Sequence, residues 1–207
     1  MLVVLIPIII LMPVYYFDHS LASSGLLYLT FWLFYSSFLL KRKDLGIGLR
    51  LSEIKESFAK TKYLFLLGIL IIFPLSFLIE SQLPPLDGFS SSFLSNPTSY
   101  VFYILILSPI IEEFVFRGIL QYRLSWFVPG YLSNILTSLA FVMIHWVPGE
   151  MWIISTIMIL RFIRSYLYGY VFSKTQNFIH SWTLHLIFNS YEPVITIISL
   201  LAGLLIL

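Results

Sequence analysis

A chain of 207 residues that is 59% hydrophobic and only 11% charged lies far from the composition of water-soluble domains, in which about a quarter of residues carry charge, and this excludes a water-facing globular fold. Its formal charge of +2 is unevenly spread, because seven of the twelve Lys and Arg fall between Lys41 and Lys62, a pattern that speaks to orientation in a membrane and not to nucleic acid. The absence of cysteine removes thiol nucleophiles, disulfides and Cys-ligated zinc or iron–sulfur centres.

Apolar runs such as Tyr63 to Ile79 and Tyr100 to Ile111 are unbroken and of helical length, unlike the short alternating strands of a membrane barrel. The expected fold is therefore all-α: a polytopic transmembrane helical bundle of about eight spans, organised as one domain over residues 1–207. Met1-Leu2-Val3-Val4 offers no basic region ahead of the first apolar run, so 1–17 reads as the first span and not as a cleaved leader. A second span covers 21–40.

The segment 41–62 follows, with seven cations and three anions, and the positive-inside rule places it in the cytoplasm. Within it, Leu51 to Phe58 carries apolar positions at helical spacing, which suits either a helix lying on the membrane surface or a solvated linker. The third span is 63–80. The loop 81–99 has no Lys or Arg and is rich in Ser, Pro and Gly, which assigns it to the outer side. The remaining spans are 99–122, 131–147, 151–173, 177–191 and 193–207. Counting from the basic segment puts both termini in the cytoplasm, with short cytoplasmic turns near Arg123 and Lys174. The helices of 99–191 form the core that carries chemistry.

That chemistry is concentrated in a few residues. The fourth span reads Leu107-Ser108-Pro109-Ile110-Ile111-Glu112-Glu113-Phe114-Val115-Phe116-Arg117-Gly118, placing two adjacent carboxylates and a guanidinium inside an apolar helix. An unpaired charge at such a depth costs about 2.5–3.5 kcal/mol on insertion scales. Glu113 and Arg117 are four residues apart with the acid first, the favourable orientation for a pair along one helix face. Glu112 is rotated by about 100° and cannot share that geometry. A purely structural ion pair thus accounts for Glu113 and Arg117 and leaves Glu112 without a reason.

Two further spans bring polar groups to similar depth. Phe141-Val142-Met143-Ile144-His145 ends the fifth, and His185-Leu186-Ile187-Phe188-Asn189 lies in the seventh, with His185 and Asn189 on one face. At 1.5 Å per residue, Glu112, His145, His185 and Asn189 sit roughly 12–21 Å from the cytoplasmic turns. A lone histidine of this kind is usually a packing residue, but three spans delivering polar groups to one depth point to a site. Arg161 and Arg164, at i and i+3 in the sixth span, are assigned a structural role. Asp18, His19 and His180 are read as solvated or interfacial, and Glu192-Pro193 as a helix boundary.

The ordered set Glu-Glu-x-x-x-Arg, Phe-x-x-x-His and His-x-x-x-Asn on separate membrane helices resembles the CPBP family of intramembrane proteases, which includes the CAAX-processing Rce1-type endopeptidases and bacterial Abi proteins. The resemblance covers Pro109 to Asn189. It implies that Glu112 is the catalytic carboxylate, that His145 helps it bind a water, and that His185 and Asn189 stabilise the oxyanion, with Glu113, Arg117 and Phe141 in support. The implied partners are the lipid bilayer and a membrane-associated peptide or protein substrate, with no nucleic acid and no cofactor.

Other protease chemistries fit poorly, since there is no His-Glu-x-x-His motif and Asp18, Asp44 and Asp87 lie outside the spans. Zinc is a second option, because Glu112, His145 and His185 are all residue types that ligate it; the metal-free, glutamate-dependent reading is preferred. Two readings from other classes are kept beside the protease: a proton-coupled transporter or channel, and a non-catalytic membrane protein of the immunity type that binds a peptide.

Overall fold

The computed structural model describes residues 54–80, 101–145, 149–190 and 193. The expected spans at 1–17, 21–40 and 193–207, the loop 81–99, both termini and most of the basic segment fall outside the described residues or touch them only at an edge. Among the described residues the secondary structure is entirely helical, with no strand.

Helix α1 occupies 54–80, running as Ile54–Leu67, a π-helical stretch Gly68–Ile72 and Phe73–Glu80. It has no break at residue 63. The stretch from Ile54, expected to be a separate surface helix or linker, is the first turns of the same rod, and it is here that Lys55, Glu56 and Lys60 are exposed. Lys60 pairs with Glu56 at 2.7 Å and holds that carboxyl below its usual range, a solvated contact of little weight for stability.

Within Phe58–Glu80 an 18-residue stretch has a mean hydropathy of 2.3, and the two faces of the helix are reversed relative to a soluble protein. Thr61, Phe65, Gly68 and Ser76 are buried, whereas Leu70, Ile71, Leu75 and Leu78 face outward. Small residues on the packed face let helices approach closely, and an apolar outer face suits lipid. A Cβ on Gly68 would lie 3.1 Å from the Leu184 side chain.

Helix α2, residues 101–124, alternates between π-helical Val101–Leu107, α-helical Ser108–Glu113, π-helical Phe114–Gln121 and a last turn Tyr122–Leu124. Pro109 opens the α-helical part and cannot donate the backbone bond that a regular turn needs there, which permits the change of winding. Helix α3 is Gly130–Ile144, α4 is Met151–Thr175 and α5 is Phe178–Asn189. Helices α1 and α4 each contain a segment long and apolar enough to cross a membrane.

Helix α4 packs against α1, α3 and α5, and α5 packs against α2. One apolar cluster, built on Val115, Phe116, Ile119, Leu120, Leu124 and Phe141, joins α2 to α3. A second, built on Phe65, Leu167, Tyr168, Val171, Leu184 and Phe188, joins α1, α4 and α5. Helices α4 and α5 form a tight antiparallel hairpin: Gln176 takes the left-handed conformation at φ 51°, and the Asn177 side chain caps α5 by accepting from the Ile179 N–H at 3.1 Å. That hairpin fixes which residues of α5 meet α4. Arg123, near an expected cytoplasmic turn, is fully buried; His180, expected to be solvated or interfacial, is buried too, and its ring stacks on Phe58 at 6.3 Å. Packing of α5 against α1 covers the end of α5 that the sequence suggested was wet.

Candidate active site

Glu112 and Glu113 leave α2 in different directions, as helical geometry requires, and enter different environments. Glu113 is fully buried. Its Oε2 accepts from Arg117 Nε at 3.2 Å, and its Oε1 lies 3.0 Å from His185 Nδ1. Arg117, equally buried, spends its remaining donors on Gln121 Oε1 and Thr137 Oγ1, both at 3.3 Å, and on the carbonyl and hydroxyl of Ser165 at 2.8 and 2.6 Å. Gln121 continues the ladder by donating to the Gly169 carbonyl at 2.8 Å. Every member of this network is paired, the condition under which buried charge is tolerated.

Glu112 stands at the edge of this network. Its Oε1 accepts from Ser108 Oγ at 2.5 Å. Its Oε2 faces His145 Nε2 at 3.8 Å and His185 Nε2 at 3.9 Å. These separations are too long for direct hydrogen bonds and short enough for one water to bridge. The side chains of Glu112 and His145 are 15% and 27% exposed, against 0% for Glu113 and Arg117, so this corner is the reachable one.

The outer nitrogens orient both imidazoles. His145 Nδ1 meets the Phe141 carbonyl at 2.7 Å, and a carbonyl only accepts, so Nδ1 carries the hydrogen. Glu113 fixes His185 in the same sense. Both Nε2 atoms are thereby turned toward Glu112. Ring packing holds the planes: His145 stacks on Phe141 at 4.4 Å, His185 stacks on Tyr168 at 4.7 Å, and Phe141 meets His185 edge-on at 5.8 Å. His145 lies just past the end of α3, at φ −100° and ψ 17°, and Arg161 donates to its backbone carbonyl.

Of the residues singled out in the sequence, the structure brings together Glu112, Glu113, Arg117, Phe141, His145 and His185. Asn189 ends α5 one turn beyond His185, and among the described residues its side chain has no hydrogen-bond partner. Arg117 neutralises Glu113, and Arg164 pairs with Glu80 at 2.8 Å. Ser108, Ser165 and Tyr168 are additions that the sequence reading missed. Ser108 is four residues before Glu112, a spacing that signals it; nothing in the sequence marks Ser165 or Tyr168. Glu112, His145 and His185 carry the donor types a metal would use, and among the described residues no group of three His, Cys, Asp or Glu side chains stands in a metal-holding arrangement.

A reachable carboxylate facing two oriented imidazoles, backed by a dry ion pair and set among apolar helices, is an arrangement with the groups that acid–base chemistry requires. Residues 94–191 match the model of the family described as type II CAAX prenyl endopeptidase Rce1-like, the family that the motifs of Pro109 to Asn189 resemble. No curated protein and no solved structure matches the chain.

Proposed function

We propose that the protein is an intramembrane endopeptidase that hydrolyses a membrane-associated peptide with a water activated by Glu112. The observation that carries this reading is the approach of His145 and His185 to one oxygen of Glu112 from two other helices, at 3.8 and 3.9 Å. In the reaction, Glu112 takes a proton from a water held between it and His145, and the resulting hydroxide adds to the scissile carbonyl carbon. Glu112 then returns that proton to the departing amine as the C–N bond breaks. Ser108, bonded to the other oxygen of Glu112, keeps the reacting oxygen aimed at the histidines.

His185 and Asn189 would donate to the oxyanion that develops on the carbonyl oxygen. To do so, His185 Nε2 must carry a hydrogen while Nδ1 remains engaged with Glu113, so the donating form is the positively charged imidazolium. Glu113 compensates that charge and fixes the ring. Arg117 in turn holds Glu113.

The family description names a CAAX prenyl endopeptidase, so a prenylated peptide ending in Cys-aliphatic-aliphatic-Met is the first probe to use. Purified protein should cleave it and keep its rate after prolonged chelation. A rate lost to chelator and restored specifically by zinc would replace the glutamate-activated water with a metal-bound one at the same residues.

A further inference from the structure

Near the reacting corner lies an arginine that the proposed mechanism does not use. Arg164 projects from α4 toward α1, where its Nη2 donates to Glu80 Oε1 at 2.8 Å and its Nε donates to Ser76 Oγ at 3.3 Å. Its guanidinium carbon packs over the Phe188 ring at 5.6 Å, one residue from Asn189. The Arg164 and Glu80 side chains are 18% and 22% exposed, unlike the sealed Arg117. Along α4, Arg164 is three residues from Arg161, which holds His145, and four from Tyr168, which stacks on His185. Those steps are about 4.5 and 6 Å, so Arg164 stands at the depth of the two histidines.

The Nε and Nη2 atoms form one edge of the guanidinium fork, the edge that matches both oxygens of a carboxylate. Here that edge is divided between a single oxygen of Glu80 and a serine hydroxyl. A free carboxylate could take both donors at once and displace Glu80. An extended peptide of two or three residues reaches about 7–10 Å, so a substrate whose scissile carbonyl lies at His185 and Asn189 carries its terminus within that radius, and Phe188, the neighbour of Asn189, already touches Arg164.

We propose that Arg164 binds the C-terminal carboxylate of the substrate and that Glu80 occupies its donors until the substrate arrives. This rests on the endopeptidase reading, and it assigns recognition of the substrate terminus to one named side chain. Ser76 and Glu80, polar positions in an otherwise apolar stretch of α1, then serve as a stand-in for the substrate terminus and also tie α1 to α4.

The test compares binding of a fluorescent prenylated peptide ending in a free carboxylate with its C-terminal amide, using full-length Glu112→Gln protein so that no turnover intervenes. The acid should bind about tenfold more tightly than the amide. Adding Arg164→Gln should erase that preference, Arg164→Lys should keep part of it, and Glu80→Gln should tighten binding of the acid alone. Equal binding of acid and amide with Arg164 present, or a preference that survives Arg164→Gln, overturns the proposal. If Arg164→Gln does not fold, the Glu80→Gln arm decides, and unchanged acid affinity there also overturns it. Hydrolysis by the wild-type protein is scored separately: failure to cut either peptide sinks the endopeptidase reading, while the binding preference still decides the role of Arg164.

Discussion

Two carboxylates that are neighbours in sequence occupy opposite kinds of environment. Around Glu113, Arg117, Gln121, Thr137 and Ser165 the helices are sealed, and each of these side chains is hydrogen-bonded. Around Glu112 the histidines stop short at 3.8 and 3.9 Å and the side chains are partly exposed. The sealed region has no slack in which to bind anything, and its energy goes into holding α2, α3 and α4 together. The looser region rests on it, because Glu113 orients the His185 ring that faces Glu112. On the proposed mechanism, structural and reactive charge are thus separated by one step along a helix.

The largest effect that sharpens this contrast is expected from Glu112→Gln. Loss of the only carboxylate facing both histidines among the described residues should lower hydrolysis of the prenylated probe by more than about 10³-fold, measured as kcat/KM in detergent. Next are His185→Ala and Asn189→Ala, which remove donors that the proposed mechanism needs only in the transition state. Each should lower kcat by about 10²–10³ with KM nearly unchanged, equivalent to ~2.7–4 kcal/mol. A raised KM with kcat intact would make Asn189 a ground-state binding residue instead.

On the sealed side, Glu113→Gln leaves Arg117 buried without a counter-charge and should destabilise the fold by about 3–5 kcal/mol, read as a lowered thermal midpoint. The smallest effect is expected at Gly169, where an added Cβ would overlap the Asn134 and Gln121 side chains. Gly169→Ala should cost about 1–3 kcal/mol of stability, with the rate per folded molecule retained. A large rate loss in folded Gly169→Ala protein would break the separation between the two regions.

Much of this contrast is legible in the sequence, for identifiable reasons. A charged residue in an apolar helix is conspicuous, and the i to i+4 rule by itself pairs Glu113 with Arg117. The same rule separates Glu112 from that pair and aligns His185 with Asn189. The link from Glu113 to His185 is not legible, since it depends on how α5 docks against α2. Helical periodicity also gives no sign of the π-helical turns on either side of Ser108–Glu113, which re-aim every later residue of α2. Tyr168 reads as one more aromatic of an apolar helix. Only the turn at Gln176 and Asn177, which folds α5 back along α4, places it under His185.

The central claim, that the two adjacent glutamates divide reaction from scaffold, is tested most directly by placing Glu112→Gln and Glu113→Gln side by side in one detergent and measuring hydrolysis and thermal midpoint for each. The account predicts that Glu112→Gln keeps the wild-type midpoint and loses the reaction, whereas Glu113→Gln melts well below wild type. Wild-type hydrolysis by Glu112→Gln, or an equal fall in midpoint for both variants, would contradict it.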